Sequence, residues 1–177
     1  MTESLTYKTP VRPEWIDHNG HMNVAFYVLA FDEATDAAYE KWGIGLDYPD
    51  TSGCSVFTLG MNVDYLSEVF NGDSVTITTK LVDRDMKRIH YFHEMTRDAT
   101  GVVASRNECL CINVNLATRK AASFPVRLEF LQTVLRAAAS IAYPPKCLGE
   151  ESAHVVDVVI VEAIHHRIDS RGRLVGS

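Results

Sequence analysis

Trp15-Ile16-Asp17-His18-Asn19-Gly20-His21-Met22-Asn23, running straight into Val24-Ala25-Phe26-Tyr27-Val28-Leu29-Ala30-Phe31, is the stretch from which the fold can be read. Asn19-Gly20 supplies residues that tolerate positive φ, so Asp17 to Gly20 reads as a tight turn. Asn23 is then placed to cap a helix. Beyond it Tyr27, Val28, Phe31, Ala34, Thr35, Ala38, Tyr39 and Trp42 recur at spacings of three and four, which define one wide apolar stripe. Asp32, Glu33, Asp36, Glu40 and Lys41 mostly fall off that stripe, and Gly43 and Gly45 end the helix near Trp42. A carboxylate in a turn directly before a helix N-terminus lies beside unpaired N–H groups and the positive end of the helix dipole. An acid or base next to such an anion hole is the minimum equipment for acyl transfer.

A helix of this length with so broad an apolar face needs a large sheet to lie against. Upstream, Leu5 to Val11 is short and bounded by Pro10 and Pro13, which fits an edge or entry strand. Downstream of a loop from Asp47 to Gly53, Phe57, Leu59, Met61, Val63 and Tyr65 alternate with polar or small residues, the period of a half-buried strand, with Gly60 marking a bulge or a close approach. After Asn71-Gly72-Asp73 come Val75, Ile77, Thr79 and Leu81. Next, beyond a turn at Asp83 to Asp85, is a strand from Lys87 to Arg97 with Ile89, Tyr91 and Met95 on one face. Asp98 to Gly101 closes a hairpin onto Val102 to Leu116, whose apolar face is expected to carry Leu110, Ile112, Val114 and Leu116. Four consecutive strands joined by turns predict an antiparallel meander. A second, shorter helix is expected from Pro125, ended by Pro144-Pro145. Glu150 to Ser177, with the β-branched run Val155 to Val161, reads as either an edge strand or a loose tail. The expected division is therefore a domain over 1–145 and an extension over 146–177.

Composition narrows the function classes. The 177 residues, 46% hydrophobic and 23% charged, suit one globular domain of ordinary size. The net charge of -6 argues against a general nucleic-acid binder. Cysteines 54, 109, 111 and 147 form no paired CxxC spacing, so neither a zinc ribbon nor a redox motif is expected, and a reduced, cytoplasmic protein is the simplest reading. MTESLTYKTPV lacks the basic start and apolar core of a signal peptide, and no run approaches membrane-spanning length. GxSxG, GxxxxGK and GxGxxG are all absent. His90 and His93 stand three apart on a strand and so point to opposite faces, and Cys109 and Cys111 share a face without matched partners, so no metal is expected.

Strand, long helix, then antiparallel strands, together with Asp17-His18-Asn19-Gly20-His21-Met22-Asn23 leading into Tyr27 and Phe31 and the later Val63-Asp64-Tyr65-Leu66, resembles the hot-dog acyl-CoA thioesterases of the 4-hydroxybenzoyl-CoA thioesterase type. The resemblance runs over residues 5 to 140, and the tail after Glu150 matches nothing in that family. Arg12-Pro13-Glu14-Trp15 and Lys87-Arg88-Ile89-His90-Tyr91-Phe92-His93-Glu94 resemble more narrowly the betainyl-CoA thioesterases of carnitine breakdown, which also occur fused to carnitine dehydrogenase. The resemblance implies an α+β hot-dog fold, an antiparallel sheet wrapped around the long helix, and hydrolysis of a small acyl-CoA thioester without a cofactor. It also implies a homodimer or homotetramer with the site at an interface between copies.

By position, the resemblance gives Asp17 the role of nucleophile or general base and the N–H of Val24 that of carbonyl donor; Asp17 would otherwise simply cap a turn. His21 and Asn23 are candidates to orient Asp17 or touch the thioester, or serve as a turn bond and a helix cap. Asp64 is a candidate polar neighbour facing the site from its strand, or else sits on the solvent face of the alternating pattern. If the acyl group is betainyl, its quaternary ammonium calls for aromatic faces and a carboxylate, and Trp15, Tyr27, Phe31 and Tyr65 are the candidates, each of which also reads as ordinary core. Lys80, Arg84, Lys87 and Arg88 cluster about one hairpin and are candidates for the CoA phosphates. A second lineage of the fold takes its carboxylate from mid-helix, which here would be Glu33. The competing readings are a non-catalytic acyl-CoA or acyl-carrier binding module and, last, a dehydratase, whose helical His is missing between Val24 and Trp42.

Overall fold

The structure, a computed structural model, describes residues 4–125 and the strand residues 167–168 and 174–175. The chain separates into two compact units, Met1–Ala142 and Tyr143–Ser177. In the first, β1 (Leu5–Pro10) is followed by a 3-10 turn at Pro13–Trp15, the long helix α1 (Val24–Trp42), a short helix α2 (Tyr48–Ser52) and strands β2 (Cys54–Tyr65), β3 (Ser74–Arg84), β4 (Arg88–Arg97), β5 (Val103–Asn115) and β6 (Lys120–Ala121). In the second, β7 (Arg167–Ile168) pairs antiparallel with β8 (Leu174–Val175). The helix expected from Pro125 and the run Val155 to Val161 lie outside the described residues.

The helix behaves as its pattern dictates. Asn23 caps it by accepting the Ala25 N–H at 3.0 Å, and Gly43 ends it at φ 74°, a left-handed conformation that favours glycine. Tyr27, Ala30, Phe31, Ala34, Thr35, Ala38 and Trp42 are buried, and the small Ala30, Ala34 and Ala38 let the helix approach the sheet closely. One end of the stripe packs with Leu81, Ile89, Tyr91, Cys109 and Cys111. The other packs with Trp15, Met22, Val69, Val75, Ile77 and Met95. Removing this much apolar surface from water is the main stabilising term of the fold. An antiparallel sheet covering one long helix is the hot-dog arrangement.

The sheet corrects the expected meander. Its order is β1-β3-β4-β5-β2, with β6 beside β5, so of the four strands expected to form the meander only β3 to β5 are consecutive neighbours. β2 pairs with β5, not β3. The Asn71-Gly72 turn exists, closed by Asp73 N–H to the Phe70 carbonyl at 3.1 Å, but it ends a crossover. That crossover is anchored under the helix N-terminus: Val69 is fully buried, its carbonyl accepts the Met22 N–H at 2.7 Å, and the Tyr27 hydroxyl donates to the Ser67 carbonyl at 3.2 Å.

A second correction concerns which side of β5 faces the helix. Ser105, Asn107, Cys109 and Cys111 stand opposite Met95, His93, Tyr91 and Ile89 of β4, the side that packs on α1, while Leu110 lies on the outer face. A bulge at Gly60 adds a change of side within β2. Register shifts between Thr58, opposite Cys111, and Gly60, opposite Leu110, so Leu59 is extra and the alternation of β2 changes parity there. Phe57 thus falls opposite Ile112 on the outer face. The residues 47–53, expected as a loop, include α2, whose Tyr48 donates its hydroxyl to Asn113 Oδ1 at 3.0 Å. Asn113 Nδ2 in turn donates to the Ala122 carbonyl at 3.2 Å, which satisfies an amide buried in the core.

Candidate active site

Asp17 is held where the sequence implied, by three layers of local bonding. The turn closes with Gly20 N–H to the Asp17 carbonyl at 3.0 Å and Asp17 N–H to the His21 carbonyl at 3.1 Å, and Gly20 takes φ 82°, which a side chain would strain. Ile16 and Met22 bridge across the turn. The carboxylate is then fixed at both oxygens: Oδ1 accepts the Asn19 N–H at 2.8 Å and Oδ2 accepts Asn23 Nδ2 at 3.1 Å. These donors, the Asn19 N–H first, hold the Asp17 carboxyl below its ordinary value, so it is an anion at neutral pH.

Asn23 therefore does two things with one side chain. Its Oδ1 caps α1 and its Nδ2 orients Asp17. The next residue, Val24, is the first of the helix, and its N–H has no acceptor among the described residues. Val24 is 55% exposed, and as the first residue of α1 its N–H points out of the helix N-terminus with the helix dipole behind it. Together these groups present a carboxylate and an oxyanion donor side by side. His21 turns away. Its Nδ1 donates to the Met22 carbonyl at 3.1 Å and its Nε2 stands 3.8 Å from Glu68 Oε1, so it stabilises the turn and does not bond Asp17.

The structure separates the remaining candidates. Tyr65 is 47% exposed on the helix side of β2 and meets Tyr27 edge to face at 5.3 Å. Tyr27 itself is buried. Trp15 and Phe31, each 1% exposed, have no free face for a cation: Trp15 stacks with Phe26 and lies under the Arg12 guanidinium, and Phe31 stacks on His93. They belong to the core, which corrects the four-member cage. Asp64 is also displaced. It stands opposite Arg106, which stands opposite Glu94 and binds it at 3.0 Å, so it lies on the outer face of the sheet, away from the helix.

The basic hairpin lies far from Asp17 within one chain. β3 starts beside the turn, where Pro10 pairs with Ser74, and Arg84 ends it ten residues on, about 33 Å at strand rise. Lys80 faces outward opposite Phe92, and Arg88 is taken by Asp85 at 2.6 Å. Glu33 is engaged as well: Arg12 binds its Oε1 at 2.8 Å and the Tyr7 hydroxyl its Oε2 at 3.0 Å. Both of its oxygens are thus taken up in bonds to neighbouring side chains.

Sequence reading missed the Asn19 N–H, although an aspartate followed two residues later by a donor is the pattern of an Asx turn. It also missed His93, a fully buried histidine between Thr79 Oγ1 at 2.9 Å and Thr35 Oγ1 at 3.0 Å. The Thr35 hydroxyl donates its one proton to the Phe31 carbonyl at 2.9 Å. It therefore accepts from His93 Nε2–H, and His93 Nδ1 accepts from Thr79. Among the described residues no cluster of three or more His, Cys, Asp or Glu side chains could hold a metal, and no helix is long and apolar enough to cross a membrane.

Comparison with known proteins follows the same line as the geometry. Residues 11–137 match the family described as the thioesterase-like superfamily. Over 142 residues the chain is 38% identical to the betainyl-CoA thioesterase of Pseudomonas aeruginosa, covering 77% of this chain and 89% of that protein. It is 30% identical over 141 residues to the L-carnitine dehydrogenase/betainyl-CoA thioesterase of Ruegeria pomeroyi, a match covering 79% of this chain and 28% of that longer protein. Among solved structures, a hypothetical protein from Staphylococcus aureus in complex with CoA superposes with a TM-score of 0.75 at 30% identity, covering 81% of this chain and 91% of that one.

Proposed function

Because the chain belongs to the thioesterase-like superfamily, we propose that Asp17 and the N-terminus of α1 are the catalytic centre of its hydrolysis of an acyl-CoA thioester to free acid and CoA. The observation that carries this reading is a carboxylate fixed by Asn19 and Asn23 beside the unpaired Val24 N–H. A thioester carbonyl oxygen bonded to that N–H gains a donor whose strength grows as the oxygen becomes anionic, which lowers the barrier to attack. Donors to both of its oxygens hold Asp17 ionised at neutral pH, the form needed to take a proton from water or to attack the carbonyl carbon directly. In the direct route a carboxylate oxygen bonds to carbon, the C–S bond breaks and CoA leaves as thiolate; water then cleaves the acyl-aspartyl anhydride. Turnover in 18O water separates the two roles. Direct attack with water opening the anhydride at the aspartyl carbonyl places label in Asp17 and leaves the product of the first turnover unlabelled, whereas general-base catalysis places it only in the product.

The acyl group we propose is small and cationic, of the betainyl type named for the relatives above. Tyr65 offers an aromatic face to a quaternary ammonium. Asp32 and Asp36, one turn apart on α1, have pKa values raised by partial burial and by neighbouring carboxylates, and no basic side chain pairs with them among the described residues. A cationic acyl group would relieve that repulsion. The twelve-residue β2 has no partner on its outer edge among the described residues, and Met61, Tyr65 and Leu66 beside it are exposed. A second copy pairing along β2 would cover this edge and complete the site. Buried free thiols at Cys54, Cys109 and Cys111 suit a reducing cytoplasm.

Thiol release from betainyl-CoA, 4-hydroxybenzoyl-CoA and a medium-chain acyl-CoA tests the reading. The highest kcat/KM is expected for betainyl-CoA. Binding of CoA without turnover of any thioester would instead identify a binding module.

A further inference from the structure

Arg12-Pro13-Glu14-Trp15 stands just before the Asp17 turn, and the catalytic reading leaves it without a role. Its bonding gives it one. Arg12 Nη2 binds Glu33 Oε1 at 2.8 Å, and Glu33, also held by Tyr7, is the tenth residue of α1. The same guanidinium lies 4.7 Å from the centroid of the Trp15 ring. Trp15 in turn stacks at 5.8 Å on Phe26 in the first turn of α1, and its carbonyl accepts the Asn23 N–H at 2.8 Å. Asn23 then holds Asp17.

A continuous line of contacts thus runs from the third turn of α1 through Arg12 and Trp15 back to the helix N-terminus. It ties the segment before Asp17 to the helix at Phe26 and at Glu33, about 10 Å apart along the axis, by the helical rise. We infer that Arg12 is a positioning residue for Asp17, acting through Trp15 and Asn23 to hold the carboxylate over the Val24 N–H. The inference rests on Asp17 being catalytic. Arg12 is 42% and Glu33 25% exposed, and a partly exposed ion pair adds little to global stability. The pair's effect is geometric, and small displacements of a reacting group are costly to rate.

Arg12→Met is expected to lower kcat about ten- to a hundredfold, with KM, CoA affinity and thermal midpoint close to wild type. The acid limb of the kcat profile should move to higher pH, because a loosened turn gives up the donors that depress Asp17; simple destabilisation would not move it. Arg12→Lys keeps the charge toward Glu33 but loses the flat guanidinium over Trp15, so it should fall between the two. Lys8→Met, which removes an ion pair to Asp98 of 2.7 Å on β1, controls for loss of a salt bridge alone and should retain wild-type kcat. Asp17→Asn is assayed beside them. An inactive Asp17→Asn with an Arg12→Met kcat within about twofold of wild type, or an Arg12→Met loss that follows its unfolded fraction, overturns the inference alone. A fully active Asp17→Asn overturns the catalytic reading beneath it.

Discussion

His93→Leu tests how the core is held around α1. His93 is fully buried, with Thr35 and Thr79 on its ring nitrogens, Phe31 and Tyr91 against its ring and Asn107 opposite on β5. None of these groups can balance a positive charge, and burial holds the imidazole pKa down to about 3 from its ordinary 6.5. The unfolded chain therefore takes up a proton near pH 6.5 that the folded protein refuses until about pH 3. Stability from this group is fully present above pH 6.5 and is lost as pH falls toward 3, at about 1.4 kcal/mol per pH unit. Between pH 7 and 4.5 the loss is about 2.5 kcal/mol, a large share of the total stability of an ordinary domain. With a urea slope of about 2 kcal/mol per M, the wild-type midpoint should fall by about 1.2 M from this cause. Carboxylates add their own pH dependence in wild type and variant alike. The assay is urea unfolding followed by far-UV circular dichroism at pH 7 and 4.5 for both proteins. The variant is expected to be less stable at pH 7, having left the Thr79 hydroxyl without its partner, at about 1–3 kcal/mol. Its midpoint should nevertheless drop by about 1 M less than that of wild type on acidification. Equal drops in the two proteins would refute the claim that His93 is held neutral by the core.

Asn23→Ala removes both a cap and an orienting donor, so it should lower the thermal midpoint by a few degrees, from the loss of about 1 kcal/mol, and reduce kcat at least tenfold. Asn23→Ser should restore the midpoint while leaving kcat low, because a serine hydroxyl caps Ala25 but does not reach Asp17; melting curves and initial rates on the same samples check this. Tyr65→Ala should raise KM for betainyl-CoA about ten- to thirtyfold, the worth of a partly desolvated cation–π contact. The KM for an uncharged acyl-CoA of similar size should change far less, as parallel initial-rate titrations would record.

Much of this molecule is written locally in the chain, and those parts were legible. The helix from Val24 to Trp42, its cap at Asn23 and its stop at Gly43 depend on spacing and on single residues. The same holds for the edge position of β1, flanked by prolines, and for the irregularity at Gly60. What was not legible depends on contacts between distant segments. Nothing in Leu66 to Asp73 states that it crosses from one side of the sheet to the other, because its anchor, Val69 against Met22, lies almost fifty residues upstream. The inner side of β5 was misread because Asn107 and Asn113 look like surface residues until Cys109 and Tyr91 are known to be partners. Phe57 was assigned to the wrong face by an alternation that the bulge interrupts. Around the candidate site, the placement of Asp17 in a turn, Asn23 as cap and Val24 as helix start was readable because the three are adjacent in sequence. Trp15 and Phe31 were proposed as ligand contacts because an aromatic at helical or turn spacing carries no mark of whether another ring covers it.

The measurement that bears most directly on the account is turnover of the best CoA thioester by Asp17→Asn, with folding checked by circular dichroism and CoA affinity by calorimetry. Asparagine keeps the shape of the carboxylate but can neither attack as an anion nor accept a proton from water, so kcat should fall by several orders of magnitude while fold and CoA affinity stay as in wild type. A folded, CoA-binding Asp17→Asn that turns over at the wild-type rate would contradict the central claim and move the chemistry to another residue.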